Sequence, residues 1–314
     1  MADASSGSDA AATGGGGGGG AAATAAPAAA MPPAVPEYRV GISDSDIMAQ
    51  ARDIEREVEE AQPLVGERVA PGALAAAYAD NPALAPKIGS LATLLDGVRP
   101  TRGDGNCFYR GFLVSLGERM VAARVAPAGS VAAGAAGRSP LQDKYEAVVE
   151  YVRGSLPRLI AHGYPDVTMP DFYDAMMDYI VSWGAGGDPI APFTDKMTGM
   201  YIITYMRCLC SLFLLDNEDD YLPYVLGLAP HCATVKQFCD VEVEAVSRDA
   251  DQLQVIAASR AWSVSVRIAY VDASPGSVAQ VMVFPDEVPS DEFPELVTLL
   301  YRPGHYDVAY FHAA

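Results

Sequence analysis

Near residue 250 the spacing of apolar residues changes, and that change limits the folds open to the chain. Before it, apolar residues recur every three or four positions, the period of a helix with a buried face. After it they gather in short runs rich in Val, Leu, Ile and Tyr, at 253–257, 263–271, 278–284, 296–301 and 308–311. Such runs read as strands. Residues 263–268 alternate apolar and polar side chains, as a half-buried strand does. Helices first and a sheet late predict an α+β domain, a helical region against a mostly antiparallel sheet. Half of the 314 residues are apolar, enough for a sizeable core.

The helical part reads in order. Ser43 opens an amphipathic helix with Ile47, Ala51, Ile54 and Val58 on one stripe, ended by Pro63. Residues 73–97 read as helical with a break at Asn81-Pro82. Further helices are expected to about 121, then over 141–160, 170–183, 194–215 and 234–246. The acidic run 216–220 reads as a solvated exit from the fourth of these. Residues 1–36 are mostly Ala, Gly, Ser and Pro and read as a disordered tail. The domain is expected over 37–314, with the Ala/Gly/Pro-rich stretch at about 122–140 as a flexible insertion.

Two short stretches carry chemistry. The first is Asp104-Gly105-Asn106-Cys107-Phe108-Tyr109-Arg110. Asp-Gly marks a tight turn. Asn106 is a candidate N-cap, its side-chain oxygen accepting from the first helical turn. Phe108, Phe112 and Leu116 recur at helical spacing and would bury one face. Cys107 then stands where a loop becomes a helix, where the dipole and unpaired N–H groups favour a thiolate and offer an oxyanion hole. The alternative is a small buried hydrophobe, the usual role of a free cysteine.

The second is Tyr301-Arg302-Pro303-Gly304-His305-Tyr306-Asp307. Pro-Gly fits the centre of a type II turn, and the flanking apolar runs make it a hairpin. His305 and Asp307 are two apart and share a strand face. A carboxylate there could hold the imidazole through Nδ1–H and leave Nε2 for a thiol. A satisfied surface pair is the alternative.

Together these stretches resemble the cysteine and histidine boxes of the ovarian-tumour (OTU) family of cysteine deubiquitinases, and within it the otubain branch. Residues 63–68, 234–239 and 263–266 are similar to otubains as well. The resemblance runs from about 45 to 311. It implies a papain-like OTU fold and a thiol isopeptidase acting on ubiquitin conjugates, with a preference for lysine-48 linkages. It implies Cys107 as nucleophile, His305 as base and acid, and Asp307 as orienter. Asp104 is counted with the active site, in a loop-shaping and oxyanion role. No cofactor or metal is implied. Ubiquitin chains are the implied partners, with ubiquitin-conjugating (E2) enzymes as a further class. A non-catalytic ubiquitin- or E2-binding regulator is the alternative function. Gly103 departs from the family's proline, and Gly111 stands where alanine is common.

Charge and cysteine usage narrow the setting. Lys and Arg number 21 against 40 Asp and Glu, a net charge of −19, which disfavours nucleic acid and anionic membranes as partners. The apolar run 200–215 is interrupted by Arg207 and is short for a membrane span. Five irregularly spaced cysteines argue against a secreted disulfide framework, so cytosol or nucleus is expected.

Overall fold

The computed structural model describes residues 62–125, 139–286 and 294–312, with positions 50 and 53 besides. The tail, the helix expected from Ser43 and most of the 122–140 insertion lie outside the described residues. The architecture below belongs to the compact unit Arg52–Ala314.

A 3₁₀ turn at Pro71–Tyr78 leads to helix α1 (Ala85–Ser90), a second 3₁₀ turn and strand β1 (Leu95–Arg99). Helix α2 (Cys107–Ala122) follows, then α3 (Pro140–Arg153), α4 (Ser155–Ala161), α5 (Met169–Gly184), α6 (Lys196–Asp216) and α7 (Glu218–Leu228). A short α8 (Val235–Phe238) runs into a π turn at Cys239–Val243, and α9 (Gln252–Trp262) precedes the remaining strands. These are β2 (Ser265–Tyr270), β3 (Gln280–Phe284), β4 (Glu295–Arg302) and β5 (His305–Phe311). The sheet order is β1-β5-β4-β2-β3; β2 and β4 run parallel and the other pairs antiparallel. This is the expected α+β arrangement with a mostly antiparallel sheet.

Core lies on both faces of the sheet. Val297, Leu299, Tyr306 and Val308 face the large helical core. Leu300 and Ala309, their alternates, face a smaller cluster with Ile88, Leu91, Leu95 and Val98. α2 packs directly on β4 and β5. Twelve of its sixteen residues are buried, where one buried face was expected. The reason is its position: it is wedged between the sheet and the helices α5 and α6. Two glycines allow that fit. A Cβ at Gly111 would stand 3.1 Å from Leu299 Cδ2, and one at Gly117 would stand 2.8 Å from Pro189 Cβ. Close packing offsets the roughly 1 kcal/mol of helix propensity each glycine forgoes.

Several expectations change. Residues 253–257 are helix, not strand, because Asp251 and Gln254 form a capping box that starts α9. A short apolar run does not separate the two states by period alone. Residues 73–97 are not one broken helix; their end is β1, where Asp96 and Gly97 are poor strand formers and the strand is held by pairing of Leu95, Gly97, Val98 and Arg99 with β5. The sheet is therefore not wholly late. The 141–160 helix breaks at Gly154, and Pro157 sits in the first turn of α4, where its missing N–H costs nothing. The 234–246 helix shortens into the π turn. Glu218, Asp219 and Asp220 form the first turn of α7 rather than an exit loop, matching the positive end of its dipole. α6 is long and apolar enough to cross a membrane by length and composition, but 67% of that window is buried in the protein. It is a core helix.

Candidate active site

The loop before α2 turns at Gly105, whose φ is +76°. A Cβ there would stand 2.2 Å from the Ser247 main chain, so the position admits only glycine. Asp104 closes the turn. Its Oδ1 accepts from the Asn106 N–H at 3.0 Å, and its Oδ2 pairs with Arg110 Nη2 at 2.6 Å. Burial alone would raise the Asp104 carboxyl, but the bonds from Arg110 and Asn106 outweigh it and hold it below the usual carboxylate range. Asp104 thus shapes the loop as an anion.

Cys107 is the first residue of α2 and is buried. Asn106 occupies the N-cap position, but its side chain caps nothing. Its Oδ1 turns away and accepts from Arg207 Nη2 at 2.7 Å and Nε at 3.2 Å. This corrects the expected cap. A charge-assisted bond to a buried guanidinium is stronger than one to a neutral amide. Among the junction's own N–H groups, Asp104's goes to the Arg102 carbonyl and Asn106's to Asp104.

The sulfur meets the β4–β5 hairpin. The turn is Pro303-Gly304, with Gly304 at φ +71°, and Arg302 pairs with His305 across it. The Tyr306 N–H donates to Cys107 Sγ at 3.4 Å, across 199 residues of sequence. His305, the residue before Tyr306, bonds Asp307 and feels the sulfur. Its ring is turned opposite to the expectation: Nε2 bonds Asp307 Oδ1 at 2.8 Å, which leaves Nδ1 for the thiol. The two side chains rise from one strand face, so the ring's distal nitrogen reaches the carboxylate. Burial would lower the His305 pKa. The hydrogen bond to Asp307, the Asp307 charge and the nearby Cys107 sulfur outweigh that and push it up to about 9.

Asp307 is fully buried and triply held. Thr101 N–H donates to Oδ1 at 3.0 Å beside His305, and Arg302 Nη2 binds Oδ2. Burial would raise its pKa, but His305 and Arg302 keep it below the ordinary value. Arg302 Nη1 in turn donates to the Tyr78 hydroxyl at 2.6 Å. Two cavities adjoin the site. One of about 550 Å³ is lined by Gly304, Tyr306, Asp249, Asp251 and Glu242; one of about 260 Å³ by Gly103, Asp104, Asn106 and Arg110.

A nucleophile at a helix start and a histidine on a facing strand is the arrangement of a thiol peptidase, and comparison with known proteins says which kind. Residues 57–311 match the family model of the C65 peptidases, the otubains. The chain belongs to the otubain family. It is 33% identical over 271 residues to ubiquitin thioesterase OTUB1 of Rattus norvegicus, covering 85% of this chain and 90% of the relative. It is 30% identical over 265 residues to OVARIAN TUMOR DOMAIN-containing deubiquitinating enzyme 1 of Arabidopsis thaliana, covering 79% and 81%. Among solved structures, an OTUB1 in complex with ubiquitin aldehyde and UBC13~Ub superposes with a TM-score of 0.70 at 30% identity, covering 86% of this chain and 99% of that one.

In this otubain the structure brings Cys107, His305 and Asp307 together and places Asp104 in the same loop. Sequence reasoning missed Thr101, Arg302 and Arg207 as members of the site. The signal for Arg207 was present: a cation in the middle of an apolar helix needs a buried reason. Thr101 holds Asp307 through its main-chain N–H and the Tyr306 carbonyl through its hydroxyl, contacts across more than two hundred positions that left no local signal. The four other cysteines are buried and unpaired. Burial pushes their thiols up, Cys239 to about 12, so they stay protonated and unreactive at neutral pH.

Proposed function

We propose that this otubain is a cysteine deubiquitinase that hydrolyses isopeptide bonds between ubiquitin's C-terminal glycine and lysine, favouring lysine-48-linked chains. The observation that carries the reading is the meeting of Cys107, His305 and Asp307 at the foot of the β4–β5 hairpin. Cys107 attacks the glycine carbonyl through sulfur, its thiol proton carried by His305. N–H groups at the start of α2 receive the developing oxyanion. His305, protonated at neutral pH, gives its proton to the leaving lysine amine. It then serves as base for the water that hydrolyses the thioester. Asp307 holds the imidazole in place, and Asp104 keeps the loop in shape.

The family and the named relatives support ubiquitin as substrate. Acidic Asp249 and Asp251 at the larger cavity suit the basic recognition face of ubiquitin. The lysine-48 preference rests on the resemblance to otubains. A panel of di-ubiquitins tests it: equal cleavage of all linkages removes the preference. Cys107→Ala should abolish cleavage and labelling by a ubiquitin vinyl probe without unfolding the chain. Cleavage retained by that variant would refute the nucleophile.

A second reading is favoured by one observation: related structures hold E2~ubiquitin conjugates beside ubiquitin aldehyde. We propose that E2 enzymes are partners here as well, so that regulation of conjugation accompanies cleavage. Binding of an E2~ubiquitin conjugate by the Cys107→Ala variant tests this apart from catalysis. The reduced cysteines suit the cytosol or nucleus, which we propose as the location.

A further inference from the structure

Arg207 lies near the middle of α6, among apolar neighbours, and is fully buried. No carboxylate forms an ion pair with it among the described residues. Asp104, whose charge it feels, is already bound by Arg110. Oxygens of a different kind surround the guanidinium. Nη2 donates to the Gly105 carbonyl at 2.8 Å, to Asn106 Oδ1 at 2.7 Å and to the Arg248 carbonyl at 2.9 Å. Nη1 donates to the Val243 carbonyl at 2.8 Å, and Nε to Asn106 Oδ1 at 3.2 Å. The plane rests 4.2 Å above the centre of the Tyr109 ring.

Two of these partners belong to the nucleophile loop. An asparagine at an N-cap ordinarily turns its oxygen onto the N–H groups of the second or third helical residue. In α2 those are Phe108 and Tyr109. With Oδ1 held by two guanidinium donors, Asn106 makes no such bond and the helix start stays open beside the sulfur. The grip on the Gly105 carbonyl also sets the 105–106 peptide plane, whose N–H goes to Asp104. The other two partners, Val243 and Arg248, bracket the stretch that presses Ser247 against Gly105 and lines the 550 Å³ cavity. One planar fork therefore fixes the loop and the cavity wall together.

We propose that Arg207 is a positioning residue of the thiol-peptidase reaction: by taking Asn106 out of its capping role and locking the Gly105–Asn106 peptide, it keeps the first N–H groups of α2 free and aimed at the oxyanion. This rests on the reading of Cys107 as nucleophile. It differs from a merely structural role, because it predicts loss at the oxyanion without loss at the thiol.

The test uses the full chain with Arg207→Gln and Arg207→Lys. Three quantities are compared: turnover of a fluorogenic ubiquitin C-terminal amide, affinity for ubiquitin aldehyde, and the rate of Cys107 alkylation by iodoacetamide across pH. Alkylation needs the thiolate but no oxyanion site. For Arg207→Gln, kcat should fall by about 10²-fold, on the order of one lost oxyanion donor, with KM changed by less than about threefold. Ubiquitin aldehyde should bind more weakly in proportion, and the limiting alkylation rate at high pH, where the thiolate is formed in every variant, should hold within about twofold. Arg207→Lys keeps the charge but not the fork and should recover part of the loss. If Arg207→Gln does not fold, Arg207→Lys carries the same split, with a fall in kcat of about tenfold. Retained turnover in the folded variants, or alkylation falling in step with turnover, overturns the proposal. A wild-type chain that alkylates normally but cleaves no ubiquitin substrate would instead sink the functional reading itself.

Discussion

At the residue scale, His305 is where charge and chemistry meet. Its proton is held more tightly in the folded chain, to about pH 9, than in an unfolded one at about 6.5. The stability this adds is complete below about pH 6.5 and is lost as pH rises through about 9. The same proton is the one delivered to the leaving amine, so kcat/KM should fall on an alkaline limb near pH 9. Asp307→Asn removes the first bond that raises His305. It should move that limb to lower pH and cut turnover by up to about 10⁴-fold. A pH–rate profile of both proteins checks this, and a limb that does not move would separate Asp307 from the titration. The cysteine and histidine boxes were legible as chemistry because their residue types and spacing are local facts. The direction of the imidazole and the fate of the Asn106 oxygen were not, since both depend on side chains brought in from elsewhere, Asp307 beside a buried Arg302 and Arg207 from α6.

At the element scale, α2 is the organising piece, a helix buried on nearly every side with the nucleophile at its start. Its entry depends on Gly105, where φ is positive and the Ser247 main chain fills the space a side chain would need. Gly105→Ala should therefore cost about 2 kcal/mol or more and reduce cleavage by at least about tenfold. Urea unfolding and turnover measure the two effects, and a variant equal to wild type in both would show that the loop can relax away from Ser247. The elements that sequence patterning resolved were the long ones, α5 and α6, and the strands with clear β-branched runs, β2 and β4. It lost β1, whose Asp96 and Gly97 carry no strand preference, and it mistook the start of α9 for a strand. In both cases the deciding interaction was absent from the local pattern: pairing with β5 in one, and a side-chain capping box in the other.

At the scale of the whole molecule, the second face of the sheet is closed by α1 and its flanking turns, and a buried cation in α1 helps tie it down. Lys87 is 1% exposed and bonds Asp272 Oδ1 at 2.6 Å and Ser274 Oγ at 2.8 Å, joining α1 to the loop after β2. Asp272 is itself 38% exposed, so the two partners are not equivalent. Asp272→Ala leaves a buried ammonium without its counter-charge and should cost about 3 kcal/mol. Lys87→Met leaves a solvated carboxylate and should cost about 1 kcal/mol. Urea titration of the two variants gives the order, and the reverse order would mean that the desolvation of Lys87 is not what the pair offsets. The bonds from Lys87 and Ser274 hold the Asp272 pKa down to about 2, so the tie is present above about pH 4 and is lost as pH falls through about 2.

By itself the sequence determined the class of fold, the nucleophile loop, the histidine hairpin and the family, because periodicity, turn chemistry and short motifs are written in neighbouring residues. Tertiary structure alone decided that Cys107 meets the Tyr306 N–H and His305, that Asp307 is locked by Arg302 and Thr101, and that Arg207 holds the loop open. Those are contacts between segments up to 206 residues apart, and only packing sets their distances.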